Sequence, residues 1–326
     1  MKVSLIIPAY NAGKTIVSCL ESALSQSLPK EYYEIIVVDD GSNDNTLDIV
    51  KNYPVRLIAQ SNKGPAAARN RGASEASGDI LVFTDSDCEL DSNFLKNIIL
   101  PFELENQIAG VQGSYETKQK EFISQFAQVE IETRYRKMVK NKYIDFIGTY
   151  AAAYKKDVFQ KIGGFDEGFP LASGEDIDLS YRLYQEDFRM VFVPEAFVYH
   201  RHPAKLVLYL KSKFSRGYWR MRLCRKHPKK MLNDSYVPQS LKLQVLSIPI
   251  FFISLFMIPV NVLWWLLVFS VSIFFVFCSV PFYRIFKEHG YDHHNLIPVV
   301  LFLRSVSLFT GMLVGSLNGI YECLRR

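Results

Sequence analysis

The sequence has no cysteine pair at C-x-x-C spacing; its five cysteines, Cys19, Cys88, Cys224, Cys278 and Cys323, are scattered and odd in number. That argues against a disulfide framework and for a reducing compartment around any soluble part. No G-x-G-x-x-G follows the first apolar run and no G-x-x-x-x-G-K-[ST] occurs anywhere, which disfavours dinucleotide oxidoreductases and P-loop enzymes. The N-terminus, Met1-Lys2-Val3-Ser4-Leu5-Ile6-Ile7-Pro8, lacks a long apolar stretch and a small-residue cleavage site, so no export signal is expected there. Charge is also missing from residues 244–282, where not one Asp, Glu, Lys or Arg occurs.

What is present excludes a disordered chain, because 49% of the 326 residues are hydrophobic and can bury a large core. The formal net charge of +5 is modest, so its location matters more than its size. Lysines and arginines crowd into residues 205–230, which points to an anionic surface nearby. Membrane lipids are the expected partner there, with no nucleic acid expected.

Apolar, β-branched runs at residues 3–7, 34–38, 55–58 and 79–83 are each followed by a turn signal. Helix-compatible segments at residues 15–25, 46–52 and 66–76 lie between them. Strands alternating with helices predict an α/β domain on a mostly parallel sheet flanked by helices.

After His202 the pattern changes. Residues 205–230 mix Lys, Arg and His with Leu206, Leu208, Tyr209, Phe214, Tyr218, Trp219 and Leu223, which predicts a helix lying on a membrane surface. The uncharged stretch fits two spans, about 244–260 and 262–282, turning at Pro259-Val260-Asn261 with Trp264 and Trp265 at the headgroup level. A third span is expected at about 296–320, carrying Gly311, Gly315 and Gly319 at four-residue spacing for close helix approach. Arg304 inside it is out of place in hydrocarbon and fits a re-entrant or partly inserted segment as well as a full span. The expected organisation is therefore a cytoplasmic catalytic domain at 1–202, a basic interfacial segment at 203–240 and a multi-pass membrane domain at 241–326. The basic stretch fixes the first domain inside by the positive-inside rule. Three spans would put Arg325 and Arg326 outside, which counts against three.

Polar residues collect where the predicted strands end, the carboxyl edge at which open α/β sheets bind ligands. Strand one ends in Ile7-Pro8-Ala9-Tyr10-Asn11 and strand two in Val37-Val38-Asp39-Asp40-Gly41-Ser42. Asp40-Gly41-Ser42-Asn43-Asp44 alone would read as a turn capping the helix at Thr46. Strand four changes the balance, because Ile80-Leu81-Val82-Phe83-Thr84 delivers Asp85-Ser86-Asp87. Hard divalent cations take carboxylate oxygens together with substrate phosphates, and both carboxylates can face one ion if the strand turns there.

Taken together these segments resemble family 2 glycosyltransferases with the GT-A fold. Gly64-Pro65-Ala66-Ala67-Ala68-Arg69-Asn70, residues 148–154, Ile162-Gly163-Gly164-Phe165-Asp166-Glu167 and Gly174-Glu175-Asp176 continue the match in the expected order. The resemblance covers about residues 1–202, and the membrane tail looks like that of exopolysaccharide-assembling members. It implies that Pro8, Tyr10, Asp39 and Asp40 line the nucleotide pocket, with Arg69 near the pyrophosphate and Asp85 and Asp87 holding Mn²⁺ or Mg²⁺. It gives His200 a further metal or diphosphate contact, beside the alternative of a surface histidine at a strand end.

Chemistry asks for the same groups, since a departing nucleoside diphosphate gains charge that a cation can neutralise. An attacking hydroxyl must lose a proton to a carboxylate opposite the leaving group, and Glu175 and Asp176 after Ser173-Gly174 are the candidates, Asp176 first. Asp178 is expected to pair with Arg182 four residues on instead. The expected reaction is inverting transfer from a nucleotide-diphosphate sugar, with UDP as the nucleotide, to a hydroxyl of a lipid-linked saccharide or polysaccharide. Alternatives are transfer to a polyprenyl phosphate, a tethered nucleotidyltransferase, or a nucleotide-sugar-binding protein. Ser215-Arg216-Gly217-Tyr218-Trp219 departs from the Q-x-x-R-W motif of processive members, so processive synthesis is not expected.

Overall fold

The computed structural model describes residues 1–169, 174–228, 238–292 and 294–324. Ser173, Lys229, Lys230, Arg325 and Arg326, which carried parts of the sequence argument, lie outside the described residues. The chain divides into two compact units. The first comprises Met1–Lys118 and Tyr135–Arg201, and the second comprises Gln119–Arg134 and His202–Arg326.

In the first unit the apolar runs become strands: β1 (Val3–Ala9), β2 (Tyr33–Asp39), β3 (Arg56–Ala59) and β4 (Ile80–Thr84). They alternate with α1 (Ile16–Leu24), α2 (Thr46–Val50) and α3 (Pro65–Glu75). Parallel strands covered on both faces carry continuous rather than alternating apolar residues, and β4 is buried at every position. Helix α1 buries Ile16, Cys19, Leu20 and Ala23, one stripe at helical spacing.

There follow β5 (Cys88–Leu90), α4 (Phe94–Leu104), β6 (Ile108–Glu116), α5 (Phe122–Met138), β7 (Ala151–Lys155), α6 (Lys156–Lys161), α7 (Glu175–Gln185) and β8 (Arg189–His200). The eight strands form one sheet in the order β3-β2-β1-β4-β7-β6-β8-β5. Strands β1 to β4 pair in parallel, as the alternation predicts. Strand β7 enters antiparallel between β4 and β6, and β5 runs antiparallel to β8, so the sheet is mixed. One core runs beneath its centre around Phe83, Tyr154, Phe159 and Phe165, whose rings meet at 5.3–6.1 Å.

The second unit is helical: α8 (Leu206–Lys226), α9 (Gln239–Met257), α10 (Trp264–Glu288) and α11 (Ile297–Leu324), together with the N-terminal part of α5. Among the described residues three stretches, Gln239–Met257, Trp264–Glu288 and His294–Gly319, are long and apolar enough to cross a membrane. The turn between α9 and α10 falls where predicted, with the Val260 and Asn261 amides bonded to the Met257 carbonyl and Trp264 opening α10. The helix expected over 205–230 is α8, and it buries Tyr209, Lys213, Gly217 and Leu223 within this unit.

Candidate active site

The carboxyl ends of β1 and β2 are laced together by side chains. The Asn11 amide donates to Ser42 Oγ at 2.9 Å and the Asn43 amide to Asn11 Oδ1 at 2.8 Å. The Ala12 and Gly13 amides reach Thr46 Oγ1 and Asp44 Oδ2 at 2.7 and 3.0 Å. Gly41 turns with φ of +75°, and a Cβ there would lie 2.8 Å from the Asn62 amide nitrogen, so only glycine fits. Pro8 lies beside Val38 in the register of β1 and β2, and Tyr10 stands exposed just past the strand end.

The tandem carboxylates Asp39 and Asp40 have different duties. Asp40 is saturated by the protein: Oδ1 accepts from Gln60 Nε2 at 2.7 Å and the Lys63 amide at 2.9 Å, and Oδ2 from the Gly64 amide at 2.8 Å. It fixes the loop that starts α3. Asp39 uses one oxygen on the Ser42 amide at 3.2 Å, while its Oδ1 is buried with no hydrogen-bond partner. A buried acceptor left unpaired costs about 1–3 kcal/mol, so this one is poised for a donor from a ligand.

Strand β4 stops at Thr84 and the chain turns before β5, where the Cys88 amide bonds back to the Asp85 carbonyl at 3.1 Å. This turn brings ligand atoms of Asp85, Asp87 and Cys88 within 4.8 Å of one another. Antiparallel pairing of β5 with β8 sets His200 opposite Cys88, so that His200 Nε2 lies 3.3 Å from Asp87 Oδ2. Burial would raise the Asp87 pKa, but the hydrogen bond and charge of His200 hold it below the usual carboxylate range. Burial pushes the Cys88 thiol well up, with Asp85 and Asp87 adding to the effect, so it stays protonated. Two carboxylates on one turn, with an imidazole against the second, suit a hard divalent cation.

Arg69 projects from α3 and is 2% exposed, with Nη2 at 2.6 Å from Asp85 Oδ1 and Nη1 at 2.9 Å from Glu175 Oε1. Burial would lower its pKa, but the two carboxylates keep it charged. Its guanidinium therefore ties the β4 turn to the start of α7. Glu175, itself 2% exposed, also accepts from the Gly174 amide at 3.1 Å and is held in place on both oxygens. Asp176 is only half-buried, with Oδ1 on the Ile177 amide at 2.8 Å. Asp178 pairs with Arg182 Nε at 2.9 Å, the helical pair that its spacing predicts.

The structure groups Asp85 and Asp87 with Cys88, sets His200 against Asp87 alone, and joins Asp85 to Glu175 through Arg69. Sequence reading missed the aromatic stack behind His200. Tyr115 packs on Tyr150 at 3.6 Å between centroids and on His200 at 4.5 Å, and the Tyr150 and Tyr135 hydroxyls meet at 2.7 Å. These residues come from β6, the loop before β7 and α5, and no local spacing announces their meeting.

Residues 4–163 match the family model described as Glycosyl transferase family 2. Over 100 residues the chain is 41% identical to Glycosyltransferase AglE of Haloferax volcanii, which covers 29% of this chain and 33% of that relative. Over 231 residues it is 25% identical to the dolichyl N-acetyl-alpha-D-glucosaminyl phosphate 3-beta-D-2,3-diacetamido-2,3-dideoxy-beta-D-glucuronosyltransferase of Methanococcus voltae, 66% of this chain and 71% of that relative. A poly(ribitol-phosphate) beta-N-acetylglucosaminyltransferase, TarS of Staphylococcus aureus, is 38% identical over 103 residues, 30% of this chain and 18% of that one. The chain thus spans a third or less of the length of AglE and TarS. Among solved structures, the mannosyltransferase PcManGT of Pyrobaculum calidifontis, in complex with GDP-Man and Mn²⁺, has a TM-score of 0.60 at 17% identity, covering 96% of this chain and 87% of that one. TarS 1–349 of S. aureus in complex with UDP-GlcNAc has a TM-score of 0.51 at 22% identity, covering 68% and 66%. At these identities the structural likeness concerns the fold.

Proposed function

We propose that this chain, a member of glycosyltransferase family 2 through its residues 4–163, transfers a sugar with inversion from a nucleotide-diphosphate donor to a hydroxyl of a membrane-associated saccharide. The observation that carries the reading is the Arg69 bridge, which fixes the Asp85 turn and the start of α7 as one piece at the carboxyl edge of the sheet. A donor diphosphate at the first and an acceptor hydroxyl at the second would then meet in fixed geometry.

Each side chain has a definable task. Asp39, with its unpaired Oδ1, accepts a hydrogen bond from the nucleobase, while Pro8 and Tyr10 wall that end of the pocket. Asp40 positions the 60–64 loop and, through it, α3. Asp85, Asp87 and His200 would hold Mn²⁺ or Mg²⁺, which supplies charge neutralisation for the departing diphosphate. Arg69 orients Asp85 and adds positive charge behind it. Asp176 takes the acceptor proton, and Glu175 keeps α7 in place. A single base supports one in-line displacement and hence inversion, since retention through a covalent intermediate would need a nucleophile as well.

The donor is proposed to be a UDP-sugar and the acceptor a lipid-linked saccharide or growing polysaccharide at the cytoplasmic membrane face. The names of the relatives from Methanococcus voltae and Staphylococcus aureus, which carry dolichyl-linked sugar and poly(ribitol-phosphate), support that acceptor class. The long apolar helices of the second unit support the membrane. The test is transfer of radiolabel from a panel of UDP- and GDP-sugars into lipid-extractable and polymeric fractions of membranes containing the protein. Label should enter one fraction in the presence of Mn²⁺ or Mg²⁺ and be absent with Asp176→Asn. Undiminished transfer by Asp176→Asn, or a product with retained anomeric configuration, overturns the assignment.

A further inference from the structure

Helix α11 is long and apolar enough to span a bilayer, yet its packing within the second unit conflicts with a crossing. Its second half lies directly against α8 and runs in the same direction, matched four residues for four. Ser307 Oγ donates to the Leu210 carbonyl at 2.6 Å and Asn318 Nδ2 to the Tyr218 hydroxyl at 3.1 Å. Between them Gly311 abuts the Phe214 carbonyl, Gly315 the Tyr218 carbonyl, and Gly217 of α8 the Leu308 carbonyl, each so closely that a Cβ would clash with backbone. The glycine ladder of α11 is therefore already occupied, and α8 is what fills it.

Helix α8 cannot accompany α11 through hydrocarbon. It carries Lys211, Lys213, Arg216, Arg220, Arg222, Arg225 and Lys226 within its 21 residues. Each charge at a bilayer centre costs about 2.5–3.5 kcal/mol even on the mildest scale. Lys211, Arg216, Arg225 and Lys226 are exposed, next to the exposed apolar Val207 and Leu208, which is the mixture that suits a headgroup layer.

The start of α11 is equally unsuited to hydrocarbon. Arg304, 3% exposed, lies 3.5 Å from Glu130 and donates to Gln244 Oε1 at 2.6 Å. Glu130 in turn is held by Lys213 at 2.7 Å, the Tyr209 hydroxyl at 2.6 Å and Arg134 at 3.2 Å. Only residues 297–303 precede this cluster in α11. At about 1.5 Å per residue they rise about 10 Å, a third of the ~30 Å hydrocarbon thickness. The hairpin of α9 and α10 differs, with Ile253, Phe256, Val260, Val262, Leu266 and Phe269 exposed around its turn and no such charge nearby.

We infer that α11 does not cross the bilayer: paired with α8, it lies in the headgroup layer on the side of the first unit, and only the α9–α10 hairpin passes through the hydrocarbon and back. The inference uses none of the catalytic assignments, and its test does not require turnover. Single cysteines are placed at Leu104 in α4, Val262 in the hairpin turn and Asn318 in α11, all exposed, in full-length protein with Cys224, Cys278 and Cys323 changed to serine. Sealed membrane vesicles of each orientation are treated with a membrane-impermeant maleimide. Leu104→Cys and Asn318→Cys should label from one face and Val262→Cys from the other. Labelling of Asn318→Cys from the Val262 face or from neither face, or of Val262→Cys from the Leu104 face, overturns the inference. A second variant, Thr310→Lys, puts a charge at an exposed point halfway along the proposed interfacial stretch. Membrane-inserted yield should stay within about twofold of the parent; loss to background would show that α11 spans.

Discussion

Each unit holds a buried ion cluster, and the central charges of the two are opposite in sign. In the first, the Arg69 guanidinium is enclosed by the carboxylates of Asp85 and Glu175. In the second, the Glu130 carboxylate is enclosed by Lys213, Arg134 and Arg304 with the Tyr209 hydroxyl. Buried ion clusters stabilise little relative to apolar packing, yet removing the central charge strands its partners at a cost of about 3–5 kcal/mol. The partners decide the use. One partner of Arg69, Asp85, stands with Asp87 past the carboxyl end of β4, where the proposed reading puts the donor, so that cluster would order chemistry. The partners of Glu130 are side chains of α5, α8 and α11, so that cluster orders helices.

The largest effects should fall on activity and only beside the Arg69 cluster. Asp176→Asn, which leaves Arg69, Asp85 and Glu175 paired, should cut transfer about 10²–10⁴-fold with the melting temperature unchanged. A large fall in melting temperature would instead make Asp176 structural. Next, Glu130→Ala should destabilise the protein by about 3–5 kcal/mol in denaturant unfolding, because three cations lose their shared partner. A loss under about 1 kcal/mol would mean those cations are satisfied elsewhere.

The same contrast can be followed with pH. Burial would raise the Glu130 pKa, but Lys213, Arg304 and Arg134 hold it well below the ordinary value. A carboxylate with a depressed folded pKa contributes stability that is complete above the unfolded value of 4.5 and is lost as pH falls through the folded one. The stability gap between the parent and Glu130→Gln should therefore widen as pH falls through about 7, where Lys213, pushed down by burial, becomes charged beside Glu130, and narrow below about pH 5, as read by thermal unfolding. The smallest effect concerns Asp40, which should act on order rather than chemistry. Asp40→Ala leaves the Lys63 and Gly64 amides unpaired and should cost about 1–3 kcal/mol, with donor affinity falling less than in Asp39→Ala.

Much of the first unit was legible because its signals are local. The runs at 3–7, 34–38, 55–58 and 79–83 became β1 to β4, and Asp85-Ser86-Asp87 sits on the turn that ends β4. The roles within tandem carboxylates were not legible, since Asp39 and Asp40 differ only in what folds against them, a loop 20 to 24 residues away. Arg69 reads in sequence as a pyrophosphate neighbour, but its position depends on Glu175, 106 residues on. Likewise α5 straddles the two units, a division that follows from contacts rather than from any shift in composition. The turn at Pro259-Val260-Asn261 and the glycine ladder were readable, whereas the helix that fills the ladder was not.

The most direct test of the central claim is the thermal stabilisation of the purified full-length protein by UDP, with Mn²⁺ and then with excess chelator. If Asp85 and Asp87 face the diphosphate as proposed, stabilisation should require the metal and rise with ligand concentration, by about 2.7 kcal/mol at one hundred times Kd. It should vanish in Asp85→Ala and Asp87→Ala. Equal stabilisation by UDP in chelator, or stabilisation retained in both variants, would contradict the account.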